Sequence, residues 1–120
     1  MKYKPAGTGD EVAKEDYRKR IIFSSKDFEE KDHLLQIVTI PPNTRQRLHS
    51  HRKQTEVFYI LEGETVITIS GVDHLAGPGD AFICSPGEIH NLWNQTDKEF
   101  KLVVFKINLP EDEEDTQWVE

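Results

Sequence analysis

His49 and His51 stand two residues apart, and Glu56 follows with four residues between. On an extended strand, side chains at i and i+2 point to one face. The two imidazoles are therefore presented side by side, and a carboxylate on the next strand can join them. Two imidazoles and one acid form a donor set for a divalent metal. A further imidazole, His90, follows a Pro86-Gly87 turn some forty residues downstream. The other reactive types carry less. His33 and His74 have no partner at ligand spacing and read as surface residues. Cys84 reads as a small core residue, because nothing near it marks a catalytic triad.

Holding such a set requires strands. Leu34–Ile40 is β-branched and apolar and is bounded by Pro41 and Pro42, which reads as a strand. Pro42-Asn43 reads as a turn, since Asn tolerates the left-handed conformation. Arg45–His51, Thr55–Leu61, Thr65–Ile69, Val72–Ala76, Ala81–Cys84, His90–Asn94 and Phe100–Ile107 follow, with glycine and proline turns between them. With Ile21–Phe23 this makes about nine short strands. Asp10–Lys19 reads as a weak helix or as no element. The pattern predicts an all-β sandwich or barrel, with no internal repeat and no linker.

Strand parity assigns faces. Arg47, and with it Arg45, is expected on the face of His49 and His51; Phe58 and Ile60 on that of Glu56; Leu92 on that of His90. Arg47, Phe58, Ile60 and Leu92 thereby become candidate substrate-binding residues, and Asn94 is placed to hold a strand end. An arginine in an apolar-walled cavity suits a carboxylate or phosphate. The competing reading leaves Arg45 and Arg47 solvated at the mouth or paired with Glu62 or Glu64. Tyr59 and Trp93 fall on outward positions.

Composition limits the function classes. The 120 residues are 36% hydrophobic and 31% charged, which describes one globular domain. The net charge of −7 comes mostly from the end of the chain, where Glu111, Asp112, Glu113, Glu114, Asp115 and Glu120 have no base among them. The near-neutral remainder argues against a nucleic-acid surface, and no apolar run approaches the roughly 18 residues of a membrane span. With one cysteine and no apolar signal core, a cytoplasmic location is expected. The expected organisation is an N-terminal arm with a first short strand over 1–32, a barrel over 33–109, and a solvated, frayed acidic tail over 110–120.

Two stretches carry a family resemblance. Asn43, His49, His51, Glu56 and Gly63 fit the spacing G-x5-H-x-H-x4-E-x6-G; Gly79, Ser85, Gly87, His90 and Asn94 fit G-x5-P-x-G-x2-H-x3-N. With fifteen residues between the motifs, the chain resembles the small single-domain cupins over roughly residues 33–109. It departs from the pattern at Asn43, where glycine is usual, and at Ser85, where proline is usual and Pro86 is adjacent. Neither is a ligand position.

The resemblance implies a jelly-roll barrel, a homodimer, and a metal held by His49, His51, Glu56 and His90. Iron, manganese, nickel, cobalt and zinc as divalent ions all accept three imidazoles and a carboxylate, with positions left open for a small-molecule ligand. The leading expectation is a metal-dependent, dioxygenase-like oxidoreductase acting on a small organic, anionic molecule, with Glu56 as a catalytic proton shuttle if it leaves the metal. Two others stand beside it: a metal-dependent isomerase or epimerase of sugars or sugar phosphates, with Arg47 on the phosphate, and a non-catalytic binding or sensor domain.

Overall fold

The computed structural model describes residues 1–30, 32–110 and 115–119, and the β-branched run after His33 forms its central long strand. This is β3 (His33–Ile40), whose Gln36, Val38 and Ile40 are buried on one face, as a period of two requires. Antiparallel to it, β11 (Phe100–Ile107) buries Phe100, Leu102 and Val104. On the far side of β11, β6 (Thr55–Glu62) buries Glu56, Phe58 and Ile60. The sheet is completed by β1 (Asp10–Ala13), β2 (Arg18–Phe23) and β9 (Ala81–Cys84), in the order β1-β2-β3-β11-β6-β9.

A second sheet faces it. It comprises β5 (His49–His51), β7 (Thr65–Ile69), β8 (Val72–Ala76), β10 (His90–Asn94) and β12 (Thr116–Trp118), in the order β12-β5-β10-β7-β8. The short β4 (Thr44–Arg45) also pairs with β10. The fold is all-β, two antiparallel sheets packed as a jelly roll, as the sequence predicts. No helix among the described residues is long and apolar enough to cross a membrane.

The apolar core fills one end of this sandwich, with Ile40, Ile60, Ile67, Phe100 and Leu102 removed from solvent. Asn94 closes that end. Its amide nitrogen donates to the carbonyls of Ile40, Pro41 and Lys98, and its oxygen accepts from the Thr96 amide and hydroxyl. The turn residues behave as their types demand. Asn43 sits at φ 51, the left-handed turn anticipated for it. Gly63 sits at φ +83, where a Cβ would lie 2.7 Å from the Glu99 carbonyl oxygen.

Three expectations are corrected. The segment from Asp10 is not helical: β1 pairs with β2 as a hairpin closed by Lys14 and Tyr17, and β2 starts at Arg18 rather than Ile21. Adding strands to an open sheet edge satisfies backbone groups that a short charged helix would leave to water. Arg45–His51 is not one strand. It breaks between β4 and β5, where the Gln46 amide donates to the Leu92 carbonyl and the Asn91 side chain donates to the Gln46 carbonyl. The acidic end is not simply solvated. Residues 116–118 pair with His51, Ser50 and His49, and Asp115 is buried; residues 111–114 and 120 of that tail lie outside the described residues.

His33 also departs from its surface assignment, since its ring packs between Phe28 and Phe105 at centroid distances of 5.5 and 5.7 Å. Those contacts fasten the connection from β2 against the outer face of the first sheet.

Candidate metal centre

Both strand motifs deliver their side chains to one point. The β5–β10 pairing sets His49 directly opposite His90, so His49, His51 and His90 share the inner face of the second sheet. Glu56 comes from β6 in the opposing sheet. The Gly87 amide donates to the His51 carbonyl at 2.7 Å, tying the turn before His90 to the first motif. One donor atom from each of His49, His51, Glu56 and His90 lies within 4.8 Å of the others.

The outer ring nitrogens explain why these donors converge. His49 Nδ1 lies 2.8 Å from the Arg47 carbonyl oxygen, and His90 Nδ1 lies 3.0 Å from that of Glu88. A carbonyl only accepts, so each Nδ1 carries the hydrogen. His51 Nδ1 meets the Thr116 hydroxyl at 3.2 Å. Whenever His49 or His90 is neutral, its Nε2 is then left with a lone pair aimed inward. Yet His51 Nε2 and His90 Nε2 lie 2.6 and 3.2 Å from Glu56 Oε1. A ring nitrogen that close to a carboxylate oxygen shares with it either a proton, as a hydrogen bond, or a cation, and the donor set of three imidazoles and a carboxylate fits a divalent metal.

The electrostatics differ from ring to ring: burial alone would lower the His90 pKa, but the hydrogen bond and charge of Glu56 outweigh it and raise it. Burial, reinforced by the nearby His90, lowers the His49 pKa to about 4, so this ring is neutral near pH 7 and available as a ligand. Burial alone would raise the Glu56 carboxyl, but the hydrogen bonds from His51 and His90 outweigh it and hold it well below the usual carboxylate range. Burial, reinforced by the same carboxylate, pushes the Cys84 thiol up to about 12, so Cys84 is a core residue and no nucleophile.

The donors sit in the wall of a cavity of about 1070 Å³. Of the residues expected to touch substrate, Arg47, Phe58 and Leu92 line it, whereas Ile60 lies beyond its inner end in the closed core. Arg45 also misses the cavity. The break after β4 undoes the parity that tied it to His49, and its guanidinium lies 5.9 Å from the centroid of the outward Trp93. Arg47 is exposed at the mouth, its guanidinium 4.5 Å from the centroid of Trp118.

Several cavity residues escaped the sequence reading. Tyr17 reaches the cavity from the N-terminal arm, and Trp118 packs 5.3 Å from the His49 ring. Only three-dimensional pairing brings these to the site. Gln36 and Lys106 also line it, and strand parity with Val38 and Val104 was the available signal for both.

Comparison with known proteins places this geometry. Residues 36–106 match the family model described as a cupin domain. An oxalate-binding protein of Thermotoga maritima is 33% identical over 88 residues, covering 72% of this chain and 73% of that protein. An oxidoreductase of Arthrobotrys oligospora is 33% identical over 61 residues; the match covers 50% of this chain and only 24% of that relative. Among solved structures, the polyketide cyclase RemF of Streptomyces resistomycificus superposes with a TM-score of 0.81 at 20% identity, covering 100% of this chain and 86% of that one. With its family model spanning both motifs and all four donors, the chain belongs to the cupin family.

Proposed function

We propose that His49, His51, Glu56 and His90 bind one divalent transition-metal ion, and that the protein is a dioxygenase-like oxidoreductase for a small anionic organic molecule. The observation that carries this reading is the convergence of four buried or half-buried donors on one point of a solvent-open cavity. Three imidazoles and one carboxylate leave coordination positions open, which separates a reactive site from a closed structural one. A metal held there supplies Lewis-acid and redox chemistry to a chelating substrate. Phe58 and Leu92 give the substrate an apolar wall, Arg47 draws anions to the mouth, and Glu56 would carry a proton only once released from the metal. The working unit in this reading is a homodimer.

A second reading, binding without catalysis, is favoured by the likeness to the oxalate-binding protein. Metal analysis of protein purified without chelators, followed by oxygen uptake after anaerobic reconstitution with Fe(II), Mn(II), Ni(II) or Zn(II), separates the two. The enzyme reading expects near-stoichiometric metal, lost in His51→Ala, and metal-dependent oxygen consumption with a chelating substrate such as a diketone or flavonol. Metal and oxalate binding without turnover supports the second reading. A wild-type protein that holds none of the four metals overturns both.

A further inference from the structure

Beyond the metal donors, one inward position of the first sheet breaks its own pattern. Along β11, the side chains facing the interior run Phe100, Leu102, Val104 and then Lys106. Lys106 lies in register with Glu56 on one side and Leu34 on the other, and it lines the cavity. Lys106 is half-buried between a carboxylate and an apolar side chain, and a charge so placed keeps an anion or water beside it. Among the described residues the Lys106 ammonium has no ion-pair or hydrogen-bond partner, although its charge is felt by Glu56.

Gln36 supplies an independent observation. It is 3% exposed and lines the same cavity, and its Oε1 has no hydrogen-bond donor. A buried amide oxygen that has given up water is destabilising unless a donor reaches it. Gln36 pairs with Val104, two positions from Lys106 on the neighbouring strand, which makes Gln36 and Lys106 diagonal neighbours on one face. Such neighbours lie roughly 7–8 Å apart at Cα, within reach of two long side chains. Leu34, Val38 and Val104 surround them with apolar surface.

We propose that Lys106 and Gln36 form a second binding subsite beside the metal centre, and that it takes a hydroxy-carboxylate with an apolar body. Lys106 holds the carboxylate, the Gln36 oxygen accepts from the hydroxyl, and the aliphatic wall covers the rest. This rests on the reading of the cavity as a small-anion site and names the substrate class. A bare oxalate dianion offers Gln36 no donor and leaves most of a cavity of about 1070 Å³ unfilled.

Mandelate and phenylacetate differ by one hydroxyl, so calorimetric titration with both, and with oxalate, tests the subsite. An α-hydroxy acid also chelates metals, so each titration is run on metal-free and on Zn(II)-loaded protein. The expected wild-type result is mandelate binding at least tenfold tighter than phenylacetate in both forms, with oxalate weakest in the metal-free form. In metal-free Gln36→Leu the tenfold preference disappears while phenylacetate binding is retained. Lys106→Met weakens both monocarboxylates at least tenfold and keeps their ratio; Lys106→Gln repeats the test should the methionine variant fail to fold.

Equal wild-type affinities, variants that bind like wild type, or no binding of either acid in either form overturns the subsite. Failure of the metal reading looks different: no zinc is taken up, yet the mandelate preference and its loss in Gln36→Leu persist in metal-free protein.

Discussion

At the scale of single residues, the site depends on groups that never face the cavity centre. Each imidazole is oriented by what its Nδ1 touches, and two of the three touch backbone carbonyls that no side-chain substitution removes. His51 is the exception, because its partner is the Thr116 hydroxyl. Thr116→Val keeps the volume and deletes the contact. Outer partners of metal-binding histidines typically contribute about 10–100-fold in affinity. Thr116→Val is therefore expected to weaken metal binding about tenfold in chelator competition, with thermal unfolding of the metal-free protein little changed. Unchanged affinity would show that the hydroxyl does not position His51. Gly63 gives a second test, of backbone rather than chemistry. At φ +83, with the Glu99 carbonyl 2.7 Å from an added Cβ, Gly63→Ala meets both strain and collision. Gly71 has φ +80 and open space. Strained left-handed positions cost about 1–3 kcal/mol. Denaturant unfolding should thus show the larger loss for Gly63→Ala, and equal losses would remove the steric part of the argument.

At the scale of elements, β12 links the acidic end of the chain to the site. Asp115 fixes its start: the carboxylate accepts from the backbone amides of Lys53 and Gln54 and from the Gln54 side chain. Burial alone would raise the Asp115 carboxyl, but those hydrogen bonds outweigh it and lower its pKa. The sign of the pH effect follows. Above the unfolded value of about 3.9 both states are ionised and the native hydrogen bonds contribute fully. As pH falls below that value the unfolded chain takes up the proton first, and the contribution is gone once pH passes the lowered folded value. Hydrogen bonds to a charged group contribute about 1.5–3 kcal/mol. Asp115→Asn should therefore be less stable than wild type by roughly 1–3 kcal/mol in urea unfolding at pH 7. That gap should close as the pH is taken from 4 towards 3. A gap that stays constant with pH would mean that the charge is not what fastens β12.

At the scale of the whole molecule, the sequence exposed the scaffold more fully than the site's surroundings. Strands with strong β-branched runs, such as β3 and β11, and the motif positions from Asn43 to Asn94 were legible because alternation and turn chemistry are local. β12 and the break before β5 were not, because their reason is a distant partner, His49–His51 for one and Leu92 for the other; β1 was missed although its partner β2 is local, because its Asp10–Ala13 run has no apolar alternation to mark a strand. Lys106 was readable by parity, yet only a three-dimensional cavity gives its charge a meaning. The same distinction bears on association. Tyr59 was placed outward by parity, and it is exposed together with Leu61 and Ile83 on the outer face of β6 and β9. These three are large apolar residues, and among the described residues β9 is a short strand at the sheet edge, paired with β6. Exposed apolar patches mark interaction surfaces, and a two-fold axis lets one patch cover its own copy. The protein is expected to sediment as a dimer at micromolar concentration. Tyr59→Glu combined with Ile83→Glu should shift it to monomer while leaving metal stoichiometry intact, since neither side chain faces the donors. A monomeric wild type, or a double variant that remains dimeric, would move the interface elsewhere. Loss of metal together with the dimer would instead mean that the outer face of β6 holds Glu56 in place from behind.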